Sequence, residues 1–301
     1  MKLNILGCFS ASPRADAHPT SQVLTIKNRT FLLDCGEGTQ RQLRRYKISF
    51  AKIKHIFITH LHGDHVYGLI GFISTMSLLK RKKDLHIYGP KGIEELIRVQ
   101  IRITESHLSF PIIFHELSSK KPQIIYEDNR LTVETVPLNH RIYTNGYLFK
   151  EKPAPRKLLI EEVEKYDIEV SFYNNIKAGQ DAVLADGRVI ANKKLTADPP
   201  TPKSYAFCTD TFYKPDIVEQ IKNVTALYHE STFQEDNLHR CKPTKHSTAK
   251  QAGLIAKKAN AGKLILGHYS SRYETLTGFK TEAETVFDNV VLAEDGKTID
   301  I

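Results

Sequence analysis

A short segment rich in metal-ligating side chains constrains this chain more than any other feature of its sequence. Residues 59–65 read THLHGDH, which places His60, His62, Asp64 and His65 within six positions. The segment follows the apolar run 53–59, which predicts a β-strand, and side chains can converge where a strand ends. Neutral imidazoles suit zinc, and a carboxylate completes a mixed nitrogen and oxygen site. The segment therefore predicts a metal site at a strand end.

Three later segments each end a predicted strand with another potential ligand. They supply His140 after residues 137–139, Asp210 after Phe207, and His268 after residues 265–267. Each is weak evidence alone, because a single His or Asp at a strand end is common. Together with the first segment they give seven ligands, the number needed by two metal ions that share one bridging carboxylate. The sequence thus predicts a two-metal site.

The length and composition indicate a globular protein. The chain has 301 residues, of which 41% are hydrophobic and 26% are charged, and this balance argues against intrinsic disorder. No apolar run approaches the roughly 18 residues of a membrane span, and residues 1–7 lack the apolar stretch of a secretory signal. We therefore expect a cytoplasmic protein without a membrane partner, whose four scattered cysteines are reduced.

The charge balance narrows the choice of partner. There are 43 Lys and Arg residues against 34 Asp and Glu residues, giving a net charge of +9. Such a surplus favours a polyanionic partner such as nucleic acid. The charge alone leaves open the alternative of an ordinary cytosolic enzyme that happens to be basic.

Strands and helices are mixed along most of the chain. The hydrophobic patterns predict strands at 22–26, 30–33, 53–59, 85–88, 205–208, 226–229 and 263–266, and a β-rich segment at 124–136 with a hairpin turn near residues 128–129. They predict helices at 39–46, 66–79, 92–103 and 248–259. This mixture predicts an α/β sandwich. Residues 150–203 differ, because they carry five prolines, mixed charges and only a short helical piece at 160–165. Their composition predicts an insertion that projects from the core rather than a second domain.

Four further segments complete a resemblance to a known family. They are residues 34–40 (DCGEGTQ), 229–233 (HESTF), 246–248 (HST) and 268–273 (HYSSRY). With the ligand segments, they resemble the metallo-β-lactamase superfamily and, within it, the ribonuclease Z family of tRNA 3′-processing endoribonucleases. The resemblance implies a four-layer αββα sandwich. It also implies that residues 1–301 form a single metallo-β-lactamase-like domain, with 150–203 as an inserted arm that binds tRNA.

The resemblance assigns roles to individual residues. It implies two zinc ions per chain, one held by His60, His62 and His140, the other by Asp64, His65 and His268, with Asp210 bridging them. Asp64 would accept a proton from the attacking water. His246 would be the general acid, oriented by Glu230, and Arg272 would contact a substrate phosphate. Asp34 is expected to orient a ligand rather than to bind metal. The family also suggests a homodimer.

The metal ligands alone do not identify the substrate, because one fold and metal site serve many reactions. The first hypothesis is a zinc-dependent endoribonuclease that removes the 3′ trailer from precursor tRNA, leaving a 3′-hydroxyl on the tRNA and a 5′-phosphate on the trailer. The second is a phosphodiesterase for small cyclic or alkyl phosphodiesters, and the third is a metal-stabilised RNA-binding protein without catalysis. The long insertion and the net charge of +9 favour RNA. Glu230 and His246 favour catalysis, because a structural zinc site needs neither.

Overall fold

Two seven-stranded β-sheets form the centre of the structure, a computed structural model that describes residues 1–301. The first sheet has the order β18-β1-β2-β3-β4-β5-β6, with β1 (Lys2–Gly7), β2 (Ser21–Ile26), β3 (Arg29–Leu33), β4 (Ile53–Phe57), β5 (Leu85–Pro90), β6 (Ile112–Leu117) and β18 (Thr298–Asp300). The second has the order β17-β16-β15-β14-β9-β8-β7, with β7 (Ile124–Glu127), β8 (Leu131–Pro137), β9 (Asn145–Glu151), β14 (Ser204–Cys208), β15 (Ala226–Glu230), β16 (Leu264–Gly267) and β17 (Val290–Leu292). Strands β3 to β6 are parallel, as are β14 to β17, so within each group the carboxyl ends share one edge.

Helices cover the outer face of each sheet. The α-helices are α1 (Thr39–Arg45), α2 (Gly63–Val66), α3 (Gly68–Leu78), α4 (Ile93–Ile103), α5 (Ile160–Lys165), α6 (Tyr173–Lys177), α7 (Asn192–Leu195), α8 (Leu238–Thr244), α9 (Ala249–Lys258) and α10 (Thr277–Glu284). Helices α1, α3 and α4 bury Leu43, Phe72 and Ile97 against the first sheet, and α9 and α10 pack on the second. Between the sheets, the ring of Phe149 lies 5.4 Å from that of Phe57. This order of layers confirms the predicted four-layer α/β sandwich.

Residues Lys150–Lys203, together with Glu127–Thr132, form a second compact unit. It contains α5, α6, α7 and two short antiparallel pairs, β10 (Lys157–Leu158) with β13 (Thr196–Ala197) and β11 (Ala182–Val183) with β12 (Val189–Ile190). Its small core includes Leu158, Val163, Ile176 and Leu195. All the other residues belong to the first unit, which holds both large sheets apart from the ends of β7, β8 and β9 that fall in these two ranges.

The element boundaries next to the THLHGDH segment differ from the sequence prediction. Strand β4 ends at Phe57 rather than at Thr59, because the Thr59 amide donates to Asp34 Oδ1 at 2.8 Å instead of extending the ladder. The helix predicted to begin at residue 66 begins at Gly63, and α3 follows after Tyr67. A Cβ atom on Gly68 would lie 2.0 Å from the carbonyl oxygen of Gly36, so glycine alone lets α3 start this close to that loop. None of the helices combines the length and the apolar character needed to cross a membrane.

Candidate active site

The candidate site residues follow the carboxyl ends of strands in both sheets. Residue Asp34 follows β3, residues 60–65 follow β4, and Asp210 and His268 follow β14 and β16. Glu230 is the last residue of β15 and pairs in register with the last residue of β16. Aligned strand ends therefore bring residues that are far apart in the sequence to one edge of the sandwich.

Three of these residues have a left-handed backbone conformation. The φ angles are 54° at Asp34, 49° at Asp210 and 59° at His268. Positive φ is uncommon outside glycine, although Asp and His adopt it more readily than most residues. Such strained positions cluster at functional sites, where the surrounding structure holds them. Each of the three turns the chain sharply within two residues of a strand end.

The structure brings the seven predicted ligands into two adjoining groups. One group comprises His60, His62, His140 and Asp210, and the other comprises Asp64, His65 and His268. The Oδ2 atom of Asp210 lies 3.6 and 3.7 Å from Nε2 of His60 and His140. Its Oδ1 atom lies 3.1 Å from Nε2 of both His65 and His268. One carboxylate thus faces both groups, with one oxygen toward each.

Hydrogen bonds fix the orientation of the histidine rings. The Nδ1 atom of His140 donates to the carbonyl oxygen of Lys245 at 3.0 Å, and Nδ1 of His65 donates to Oδ2 of Asp34 at 2.7 Å. Because a carbonyl and a carboxylate only accept, both rings carry their proton on Nδ1, which leaves the Nε2 lone pair facing the group. Asp34 thus makes the contact expected of a residue that orients a ligand.

Two threonines that the sequence did not single out extend this orientation. The Thr59 hydroxyl donates to Asp34 and lies 3.0 Å from His60 Nδ1. The Thr232 hydroxyl donates to Oε2 of Glu230 at 2.6 Å and lies 2.9 Å from His268 Nδ1. Because each hydroxyl donates its proton to a carboxylate, it accepts a hydrogen bond from the imidazole Nδ1 atom. Each threonine therefore links a ligand histidine to a carboxylate and orients the ring. The sequence could have indicated these two threonines only through their positions inside the motifs 59–65 and 229–233. Their contacts form only in the folded protein.

The residues present fit a metal. The Nε2 atom of His65 is buried, and no hydrogen bond satisfies it, although an oxygen of Asp64 lies 3.3 Å away. The Nδ1 atom of His62 lies 3.0 and 3.2 Å from Nε2 of His60 and His140. Zinc–nitrogen bonds of about 2.0–2.1 Å place tetrahedral ligands roughly 3.3 Å apart, which matches these separations. The two groups therefore form a metal-binding site.

Beside the ligands, His246 and Glu230 form a buried pair. Nδ1 of His246 lies 2.8 Å from Oε1 of Glu230 and 4.0 Å from Oδ2 of Asp210. Burial lowers the pKa of His246, but the Glu230 carboxylate more than offsets this, and the pKa rises to about 9. Burial raises the pKa of Glu230, whereas the imidazole holds it below its usual value. The amides of Thr211 and Ser247 also donate to Glu230. The pair is thus a carboxylate and an imidazolium.

A cavity of about 1030 Å³ opens over the site. Its lining includes His62, Asp64, His140, Asp210, His246, His268 and Arg272. His60, His65 and Glu230 do not line it and are fully buried. The Nε atom of Arg272 donates to Ser270 Oγ at 3.1 Å, and its guanidinium lies over the Phe233 ring. The cavity can therefore admit a phosphodiester to the ligands, beside His246.

Comparisons with known proteins find relatives in sequence and in structure over the full length of the chain. A family model described as "Anti-Pycsar protein Apyc1" matches residues 1–150. Over 300 residues, the chain is 45% identical to a ribonuclease Z of Bacteroides fragilis, with 100% of this chain and 99% of that protein covered. It is also 45% identical over 300 residues to a ribonuclease Z of Bacteroides thetaiotaomicron, covering 100% of this chain and 95% of that protein. The short form of human tRNase Z has a similar fold, with a TM-score of 0.74 and 24% sequence identity. The match covers 100% of this chain and 99% of the human chain.

Proposed function

The chain belongs to the ribonuclease Z family of tRNA 3′-processing endoribonucleases, and we propose that it removes the 3′ trailer from precursor tRNA with two zinc ions. The observation that carries this proposal is the His246–Glu230 pair beside a cluster of seven ligands. A metal that only stabilised the fold would need no protonated imidazole beside it.

Because the proposed substrate is precursor tRNA, we also propose that the enzyme acts in the cytoplasm. Family resemblance implies a homodimer, which sedimentation of the purified protein tests.

The seven ligands divide naturally between two ions. His60, His62 and His140 would hold one ion, Asp64, His65 and His268 would hold the other, and Asp210, which faces both groups, would be shared. Imidazole nitrogens and carboxylate oxygens are a donor set that zinc favours. When bound, the ions lower the pKa of a water and stabilise the negative charge of the phosphodiester.

The protein's own side chains move the protons. Asp64, which lines the cavity, accepts a proton from the attacking water as its oxygen bonds to phosphorus. His246 donates a proton to the ribose 3′-oxygen as the bond from phosphorus to that oxygen breaks. Glu230 keeps His246 oriented and protonated through the 2.8 Å contact. The products are a 3′-hydroxyl on the tRNA and a 5′-phosphate on the trailer.

We assign the inserted arm, Lys150–Lys203, to binding of the tRNA beyond the scissile phosphate. It carries ten Lys and Arg residues against nine Asp and Glu residues, so charge alone does not make it an RNA surface. Its middle exposes apolar side chains instead, with Val170 and Phe172 74% and 47% exposed. Exposed apolar groups mark contact surfaces, and aromatic rings stack on bases. The arm therefore offers shape and apolar contacts, while most of the basic surplus lies outside it.

Shortening the arm should impair precursor tRNA cleavage more than hydrolysis of a small phosphodiester. Leu158 of β10 pairs with Thr196 of β13, so residues 159–195 can be replaced there by a short glycine-rich linker. Binding energy from remote contacts positions the scissile phosphate, so both KM and kcat should suffer with the RNA. All the catalytic residues belong to the other unit, and a chromogenic diester should be hydrolysed at nearly the original rate. Loss of both activities would indicate a structural role, and unimpaired RNA cleavage would refute the arm assignment.

Cleavage of precursor tRNA by the intact protein should weaken as salt is added at subsaturating RNA. Each phosphate contact contributes a slope of roughly −0.7 to −0.9 to the plot of log affinity against log salt. The net charge of +9 implies several such contacts. We therefore expect log kcat/KM for the RNA to fall linearly with the logarithm of the salt concentration. The rate of hydrolysis of a small diester should change little. Equal salt sensitivity for the two substrates would mean that salt acts on the catalytic centre.

A further inference from the structure

The guanidinium of Arg240, on α8, has no hydrogen-bond or ion-pair partner. The side chain is half-buried, and its Nε atom is hidden from solvent without an acceptor. Arg14, Arg81 and Arg156 are also half-buried, and each donates to a carbonyl or carboxylate oxygen. Buried donors in native proteins nearly always have partners. Arg240 is therefore an exception that a ligand would explain.

Arg240 lies on the His246 side of the active-site cavity. Both residues line the cavity, and the Arg240 guanidinium lies 5.9 Å from the centre of the Phe233 ring. The same ring lies 6.3 Å from the ring of His246. Phe233 is only 4% exposed, so it is not available to stack on a base. Its ring instead forms a fixed platform that holds Arg240 beside the proton donor.

The chemistry of this position suits a phosphate. A guanidinium presents a planar fork of donors that matches phosphate oxygens, and it remains charged at any physiological pH. The buried Nε atom of Arg240 has no carboxylate or other acceptor within hydrogen-bond distance. If His246 protonates the leaving 3′-oxygen, the surroundings of His246 hold the nucleotide that carries this oxygen. We propose that Arg240 binds the phosphate on the 5′ side of that nucleotide, the last one retained in the mature tRNA.

This assignment rests on the proposed function and makes Arg240 a substrate-positioning residue. A double-mutant cycle tests it, with Arg240→Ala as the protein change and one neutral methylphosphonate at the assigned phosphate of precursor tRNA as the substrate change. Each change alone should lower kcat/KM by roughly ten-fold, the range expected for losing one charge-assisted hydrogen bond. Together they should cost little more than either alone, because both remove the same contact.

Two further variants complete the experiment. Arg44 lies over Phe50 at 5.2 Å and does not line the cavity, so Arg44→Ala should match the wild type with both substrates. Arg240→Lys keeps the charge without the planar fork, and it should give an intermediate loss and weaker coupling, even if the alanine variant folds poorly. If the loss in kcat/KM from both changes together equals the product of the two separate losses, or if Arg240→Ala is fully active, the assignment is wrong. Either result would leave the proposed function intact. Failure of the wild type to cleave precursor tRNA would overturn both.

Discussion

The Asp210→Ala variant should lose its activity, by on the order of 10³-fold or more, together with much of its bound metal. The carboxylate of Asp210 is buried and faces both ligand groups, with oxygen–nitrogen distances of 3.1–3.7 Å. Removing it leaves the repulsion of two cations uncompensated and forfeits several kcal/mol of transition-state stabilisation. Metal content by mass spectrometry and turnover of a phosphodiester are the measurements.

Two matched variants make the Asp210 result interpretable. Asp210→Asn keeps the size of the side chain, and asparagine tolerates the left-handed backbone at φ 49°. A loss of activity or metal in this variant therefore results from the missing charge rather than from backbone strain. Asp288 is exposed and outside the cavity, and Asp288→Ala should behave like the wild type. Two tightly held metals with normal turnover in Asp210→Ala would contradict the bridging role.

The His246→Ala variant should retain its metal and lose roughly 10²–10⁴-fold in turnover of precursor tRNA, the usual span of general acid–base catalysis. His246 also lies within reach of Asp210 and His268 as a possible third ligand group, but neither group of predicted ligands needs it, and its Nδ1 atom is hydrogen-bonded to Glu230. A ribose 3′-oxygen is a poor leaving group without a proton. Nitrophenolate departs without one, so the loss should shrink on a bis(nitrophenyl) phosphate substrate.

The comparison between the two substrates decides the role of His246. Glu230→Gln keeps the shape of the side chain but removes the charge that raises the pKa of His246, and it should show the same substrate-dependent loss. His239, exposed on the same helix as Arg240, supplies the control, since His239→Ala should leave both rates unchanged. Equal losses on both substrates, or a lower metal content, would identify His246 as a structural residue or a ligand.

The α/β class and the seven candidate ligands followed from local sequence patterns, whereas the division of the ligands into two groups came from the family resemblance. His60, His62, Asp64 and His65 lie so close in the chain that any folded structure keeps them together. His140, Asp210 and His268 could be added because each follows a predicted strand, where side chains can converge. The predicted elements 22–26, 92–103 and 248–259 correspond to β2, α4 and α9 within one or two residues. The two helices each bury one face, and β2 is a short apolar strand that is buried on both faces.

Apart from the contacts of Asp34 and Glu230, which were expected, the supporting contacts could not be predicted, because they join residues with no local relation. The carbonyl of Lys245 orients His140 across 105 positions, and nothing in either segment indicates it. Positive φ at Asp34 and at His268 is imposed by packing, since neither is a glycine. The unpartnered state of Arg240 is likewise invisible in sequence, because any arginine on a helix normally finds water or a carboxylate. Residues 127–132, which join the second compact unit, are the end of β7, the turn after it and the start of β8.

The most direct test of the account is to incubate the purified, metal-loaded protein with a precursor tRNA and to map both product ends. We expect a single cut that leaves a 3′-hydroxyl on the tRNA and a 5′-phosphate on the trailer, because the ribose 3′-oxygen is the leaving group. Chelation should abolish the cut, and added zinc should restore it. A 2′,3′-cyclic phosphate with a 5′-hydroxyl trailer, or intact precursor tRNA beside rapid hydrolysis of a cyclic nucleotide, would contradict it.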